Sequence, residues 1–403
     1  MTIDVRLMQP NELRASNDTS RAALLMPPAD DETWEKARAG WEQGCMGASA
    51  WQGERCVGHV GSLDLRMSLP GGNRVPTAGL TRVGVLPTHL RQGVLTRMMH
   101  EVLREEHRSG KVLAALLASE VGIYPRFGFG LATEEFNLRI DVPRVGRIAG
   151  AAPGSFRLLA RSEVRATVDD VYHRVVDRPG SIGRSPWMLQ RYLQDAEAGS
   201  AAEYVVVHTS VDGVDDGFAQ YSVKWNEPDA VERLGTCDVK EVAGADSSVE
   251  LALWQYLCRV SLVREITMER GPKDNLLRHA VADPRAVRVL GQWDELLLRP
   301  LDVDACLAGR TFNDVAGEAT VEVSDPMFPA NNAVWAVSAE GARRTDAAAQ
   351  VTATINAVGS TLLGGMSWVD QAVLGTAHGD AAALRRLDSL FRHHPLPYCG
   401  SFF

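Results

Sequence analysis

The 403-residue sequence carries no CxxC pair, no HExxH and no cysteine spaced from histidine as zinc ligands are. Its six cysteines, Cys45, Cys56, Cys237, Cys258, Cys306 and Cys399, are scattered. Scattered thiols argue for a reducing compartment and against a metal site, so none is assigned. There is no Lys/Arg-rich run, and the formal net charge is −9. A nucleic-acid partner is therefore not expected, since such proteins show a basic face. The apolar run Val112–Ala118 is far shorter than the roughly 20 residues that span a bilayer, so no membrane span is expected. Residues 1–25 lack a basic n-region and an apolar h-region, which predicts no signal peptide and a cytoplasmic protein. The phosphate-cradling signatures GxxxxGK[ST] and GxGxxG are missing too.

What is present is an ordinary globular composition, 45% apolar and 23% charged. At roughly 100–200 residues per domain the length predicts two to four domains. The acidic balance suits a cationic substrate, though it equally serves solubility. Three segments are expected, at 1–145, 146–290 and 291–403. The first shows helical patterns around Asn11–Leu25 and Asp31–Gly40, then strands at Cys56–Met67 and Ala78–Val85 joined through a Pro70–Asn73 turn. Gly150–Gly154 reads as a linker. Beyond it come helix Glu163–Val176, strands Glu203–Thr209, Gly217–Lys224 and Cys237–Val242, helix Ser247–Val260 and strand Glu265–Glu269. That strand-then-helix order echoes residues 79–118, as a degenerate second copy of one α/β unit. The third segment opens with a strand at Trp293–Arg299, ended by Pro300. It continues with helix Asp302–Ala308, strands Glu318–Val323 and Ala333–Ala339, and helices Thr352–Val358 and Asp380–Phe391.

The chemistry concentrates in the first segment. Strand Gly79–Val85 is interrupted by Gly84, and a glycine inside a strand marks a bulge or a close backbone approach. Pro87 ends the strand, and Gly93 permits a tight turn. Leu95, Met98, Met99, Val102 and Leu103 then line one face of a helix. The loop thus delivers N–H groups to a helix N-terminus, which attracts phosphate, with Arg91 and Arg97 to add charge. Val112–Ala118 follows as a buried parallel strand.

This order of parts resembles motif A of the GNAT acetyltransferases, in which an R/Q-x-x-G-x-G/A loop holds the acetyl-CoA pyrophosphate. Here Gly93 matches strictly, while Leu90 and Leu95 stand at the R/Q and final G/A positions. Tyr124-Pro-Arg-Phe-Gly-Phe129 looks like the family's Y-x-x-x-G-F signature. More narrowly, Pro76–Thr81, Ala118-Ser-Glu120 with Ile123-Tyr124, Arg126-Phe-Gly128, Leu384–Asp388 and terminal Phe403 resemble the actinobacterial Eis family. The resemblance implies an α/β (α+β) fold of tandem GNAT-type mixed sheets with flanking helices, plus a sterol-carrier-protein-like C-terminal domain. It implies an acetyl-CoA-dependent N-acetyltransferase acting on a small-molecule or lysine amine, aminoglycosides and polyamines included, usually as a homohexamer.

By the same resemblance Tyr124 is the general acid and the carboxylate of Phe403 the general base. Acetyl-CoA contacts are expected at Val83, Gly84, Val85, Arg91, Gln92, Gly93, Val94, Leu95, Thr96, Ser119 and Glu120. Backbone N–H groups beside a bulge at Gly84 are expected to hold the oxyanion. Trp34, Arg82 and Phe402 are assigned to the amine pocket. Arg82 stands where the family carries an aromatic residue, and Ser401 and Phe402 replace an acidic one, so polycations are less favoured. The second GNAT-like segment reads Ala-Gly-Ala-Asp-Ser before its helix and lacks a phosphate loop. Two other readings stay open: a non-catalytic protein binding an apolar ligand in the sterol-carrier-like domain, and an acyltransferase using a longer acyl chain.

Overall fold

The computed structural model describes residues 2–184, 188, 202–225 and 234–403. They form two compact units, one joining Met1–Thr133 to Glu295–Phe403 and the other Glu134–Asp294.

The first unit begins with β1 (Asp4–Leu7), helices α1 (Leu13–Ala23) and α2 (Asp31–Gly44), and strands β2 (Cys45–Gln52), β3 (Arg55–Ser68) and β4 (Arg74–Val85). These four strands pair antiparallel in sequence order. Helix α3 (Val94–Arg108) then crosses over to β5 (Leu113–Leu116), which lies parallel to β4 as expected. Helix α3 buries Val94, Met98, Met99, Val102 and Leu103. Each such side chain stabilises the fold by about 1.5–3 kcal/mol. Strands β1 and β2 are absent from the sequence reading. β2 is built of small residues, and Ala48 and Ala50 are fully buried without any long apolar alternation to announce them. A two-residue strand, β6 (Gly130–Leu131), completes the N-terminal part.

The chain then leaves this sheet. β7 (Glu134–Asp141), β8 (Gly154–Leu158), β9 (Ala202–Ser210), β10 (Asp215–Trp225), β11 (Gly235–Gly244), β12 (Val263–Pro272) and β13 (Val287–Asp294) form the second unit's sheet, in the order β13-β7-β12-β11-β10-β9-β8. Helices α4 (Arg161–Val175) and α5 (Ser247–Leu257) belong to it. β7 thus leaves the first segment before the boundary expected at residue 145.

The chain returns as β14 (Leu297–Pro300), which inserts antiparallel between β5 and β6. The single strand expected over Trp293–Arg299 is therefore two, in different units. The break falls at Glu295, whose N–H donates to the Thr133 carbonyl while the Thr133 hydroxyl donates to its carboxylate. Those bonds turn the chain where its apolar pattern continues. A five-stranded sheet follows, from β15 (Ala319–Ser324), β16 (Ala333–Ser338), β17 (Gly341–Arg344), β18 (Val351–Thr354) and β19 (Ala377–Gly379). The helix expected from Thr352 begins later, as α6 (Ile355–Thr361), because the Thr354 hydroxyl caps it by accepting from the Ala357 N–H. Helix α7 (Ala381–Phe391) is capped likewise by Asp380.

Candidate active site

The first sheet opens at one point. β4 and β5 pair from Thr77↔Leu113 to Leu80↔Leu116 and no further. Val83, Gly84 and Val85 lie beyond the last pair, so on that side they have no ladder partner in β5. On the other side Thr81 faces Gly61 and Gly84 faces His59. Val60 alone is left opposite Arg82 and Val83, which makes the bulge. It sits at Arg82–Val83, whereas the sequence placed it at Gly84. Arg82 takes the left-handed backbone, φ +50°, at a cost of about 1–2 kcal/mol. Its guanidinium donates to the Asn17 side chain at 2.7 Å and lies 5.1 Å over the Trp41 ring. Gly84 is needed for space: a Cβ there would stand 2.6 Å from the Ala23 Cβ of α1. Its glycine signals close approach, and the bulge beside it still frees backbone polar groups.

The loop from β4 reaches α3 through Arg91 and Gly93, both left-handed at φ +59° and +72°. Gly93 is the N-cap and no side chain caps the helix. The N–H groups of Val94, Leu95 and Thr96 are the ones a helix leaves without an internal acceptor. Arg91 and Gln92 are exposed beside them. Arg97 turns away and donates to the Ile3 carbonyl at 3.0 Å. Ser119 and Glu120 are exposed just past β5.

Tyr124 joins two 3-10 turns, Val121–Ile123 and Pro125–Phe127. Its ring is buried in one core cluster with Ala78, Leu80 and Leu116, and meets Phe129 edge-on at 6.0 Å. Burial, helped by the Glu120 charge, pushes its phenol up to about 12. The loop carrying it is held from the C-terminal domain. Asn356 on α6 donates to the carbonyls of Pro125 and Phe129, at 2.8 Å each. Arg299 on β14, 1% exposed, donates to the Phe127 carbonyl at 2.7 Å and pairs with Asp325. No sequence signal marked these clamps.

Phe403 is 4% exposed, and its ring lies over β4: a Cβ on Gly79 would stand 3.2 Å from it. Phe402 is 63% exposed. Trp34 has a packing role. It is buried with Leu13 and Trp41, and the cation over its ring is Arg14, at 5.4 Å. Trp41, which the sequence did not single out, is the tryptophan beside the bulge. It meets His59 edge-on at 5.2 Å. Full burial, with Arg82 adding to it, pushes His59 down to about 3, so it stays neutral.

Residues 4–132 match the model of an acetyltransferase (GNAT) domain, residues 180–299 a second GNAT-domain model, and residues 303–400 a sterol carrier protein domain. An N-acetyltransferase Eis of Mycobacterium tuberculosis is 33% identical over 359 residues, 85% of this chain and 84% of the relative. The chain belongs to the Eis family of GNAT N-acetyltransferases. An uncharacterized N-acetyltransferase of Streptomyces coelicolor is 36% identical over 78% of both chains. The crystal structure of Eis1 from Mycobacterium abscessus superposes with a TM-score of 0.89 at 31% identity, covering both chains fully. As in the Eis-family plan expected from sequence, two GNAT regions precede a sterol-carrier-like domain. Among the described residues no group of His, Cys, Asp and Glu could hold a metal ion, and no helix is long and apolar enough to cross a membrane.

Proposed function

We propose that this chain moves an acetyl group from acetyl-CoA to a primary amine at the opening between β4 and β5. One observation carries the reading: next to the point where β4 parts from β5, the buried phenol Tyr124 shares a core cluster with Ala78 and Leu80, and the ring of buried Phe403 lies by Gly79. Gly93, Val94, Leu95 and Thr96 hold the pyrophosphate on the open α3 N-terminus, with Arg91 and Gln92 alongside. The bulge frees backbone N–H groups to face the developing oxyanion.

The carboxylate of Phe403 takes a proton from the substrate ammonium, directly or through a water, because only the free amine has a lone pair. The amine nitrogen then bonds to the thioester carbon, and the carbon–sulfur bond breaks. Tyr124 shares its proton with the departing thiolate, and the second amine proton, relayed through solvent, completes the thiol while the first is released from the carboxylate. The balance is one amide, one thiol and one released proton. Tyr124 is a weak acid at about 12, so it acts mainly as a strong hydrogen-bond donor to the sulfur.

The acceptor class is a cationic amine: aminoglycoside-like, polyamine or lysine. Arg82 and Trp41 wall the approach on one side, which favours amines that place their remaining charge away from it. A homohexamer is the proposed assembly, read out by light scattering. The central test is thiol release from acetyl-CoA across a panel of aminoglycosides, polyamines and lysine peptides. Amine-dependent release supports the reading, and release no faster than hydrolysis with every amine overturns it. Equal turnover with propionyl- and longer acyl-CoA would move the donor assignment to longer acyl chains.

A further inference from the structure

Glu295 is a buried acid that the transfer described above does not use. It is 1% exposed and stands where the chain re-enters the first unit, immediately before β14. One carboxylate oxygen accepts the Gly400 N–H at 2.8 Å. The other accepts the Cys399 N–H at 3.2 Å and the Thr133 hydroxyl at 2.9 Å. Burying a carboxylate is costly unless donors replace its water. Here two of those donors come from the backbone of the C-terminal tail, a segment that in most proteins frays.

The tail is held again beyond this point. Gly400 takes a left-handed turn, φ +65°, and Phe403 lies over Gly79 of β4. Only two residues lie between Gly400 and Phe403, a span of at most about 11 Å of chain. Fixing both ends of so short a span leaves the terminal carboxylate little room to move. We propose that Glu295 is a positioning residue, which anchors Cys399 and Gly400 so that the Phe403 carboxylate is presented at the acceptor amine. This rests on the reading of that carboxylate as the base.

The test uses the full chain with Glu295→Gln, which keeps the size but replaces one acceptor by an NH2 group facing N–H and O–H donors. The expected result is a fall in kcat of tenfold or more with KM for acetyl-CoA within twofold, since α3 is untouched. Carboxypeptidase should release Phe403 faster than from the unaltered protein, and Glu295→Asp, which keeps two acceptor oxygens, should recover part of kcat. Unchanged kcat with Phe403 still protected overturns the proposal. So does an Asp variant no better than Gln, or a KM that rises in step with the loss of kcat. If the Gln variant fails to fold, hydrogen exchange on the unaltered protein decides: the Cys399 and Gly400 amides should exchange as slowly as those of β14, and fast exchange sinks the idea. One residue appended after Phe403 separates the two readings. Full activity with slow tail exchange refutes the carboxylate base but leaves the anchor, whereas lost activity with slow exchange supports both.

Discussion

The two GNAT regions keep the same opening and differ in what stands at its mouth. In the second, β11 and β12 pair in parallel from Gly235↔Val263 to Asp238↔Thr267 and then part, while β11 runs on to Gly244. A register shift against β10 leaves Lys240 as the extra residue, much as Arg82 and Val83 bulge in the first. The helix after the opening is the difference. Helix α3 starts at Gly93 with no side-chain cap. Helix α5 starts at Asp246, whose carboxylate accepts the N–H groups of Ser248 and Val249. These bonds, first the Ser248 hydroxyl's, outweigh burial and hold Asp246 below its usual value, so it stays charged. A helix N-terminus left without a side-chain cap in one copy is filled in the other by the chain's own anion.

That contrast can be broken in several places. Tyr124→Phe should lower kcat roughly 10²-fold or more, the usual size of general-acid loss, with KM for acetyl-CoA unchanged. One residue appended after Phe403 should do comparable damage while circular dichroism stays native. Full turnover in either would remove the first region's claim to chemistry. Gly93→Asp copies the second region's cap into the first. It should raise KM for acetyl-CoA about tenfold, and the left-handed backbone should cost about 1–2 kcal/mol of stability. An unchanged KM would show that the open N-terminus is not the pyrophosphate site. Titration calorimetry should find one acetyl-CoA per chain, and two would restore the second region as a site. Gly84→Ala should destabilise by about 1–3 kcal/mol through its clash with Ala23.

The smallest effects are the quiet ones. Asp246→Ala should cost about 1 kcal/mol in denaturant unfolding and leave kcat alone. Because Tyr124 is raised to about 12, its acid form persists well above the ordinary phenol range. kcat should therefore show no alkaline descent before roughly pH 11. The stability from keeping that phenol neutral is present below about pH 10 and is lost as pH rises through 12. A descending limb near pH 8 would point to a different acid.

Much of this was legible in the residues. Gly93 and the apolar face of α3 announced a strand–loop–helix turn, and Tyr124 to Phe129 announced the far side of the opening. What stayed hidden had no local signal. The small residues of β2 alternate nothing. The apolar run across Trp293–Arg299 reads as one strand although Glu295 divides it between two units. Trp34 and Trp41 sit on the same helix, and no spacing says which one meets Arg82.

The sequence by itself determined the family, because helix faces, a tight glycine turn and a tyrosine block are local patterns. Tertiary structure alone decided where the bulge falls and what closes the site. The left-handed Arg82 has its guanidinium held by Asn17 and laid over Trp41. Gly79 leaves room on β4 for Leu65 and for the ring of Phe403, which a Cβ there would meet at 2.3 and 3.2 Å. Both depend on contacts between residues far apart in the chain, which no short window of sequence contains.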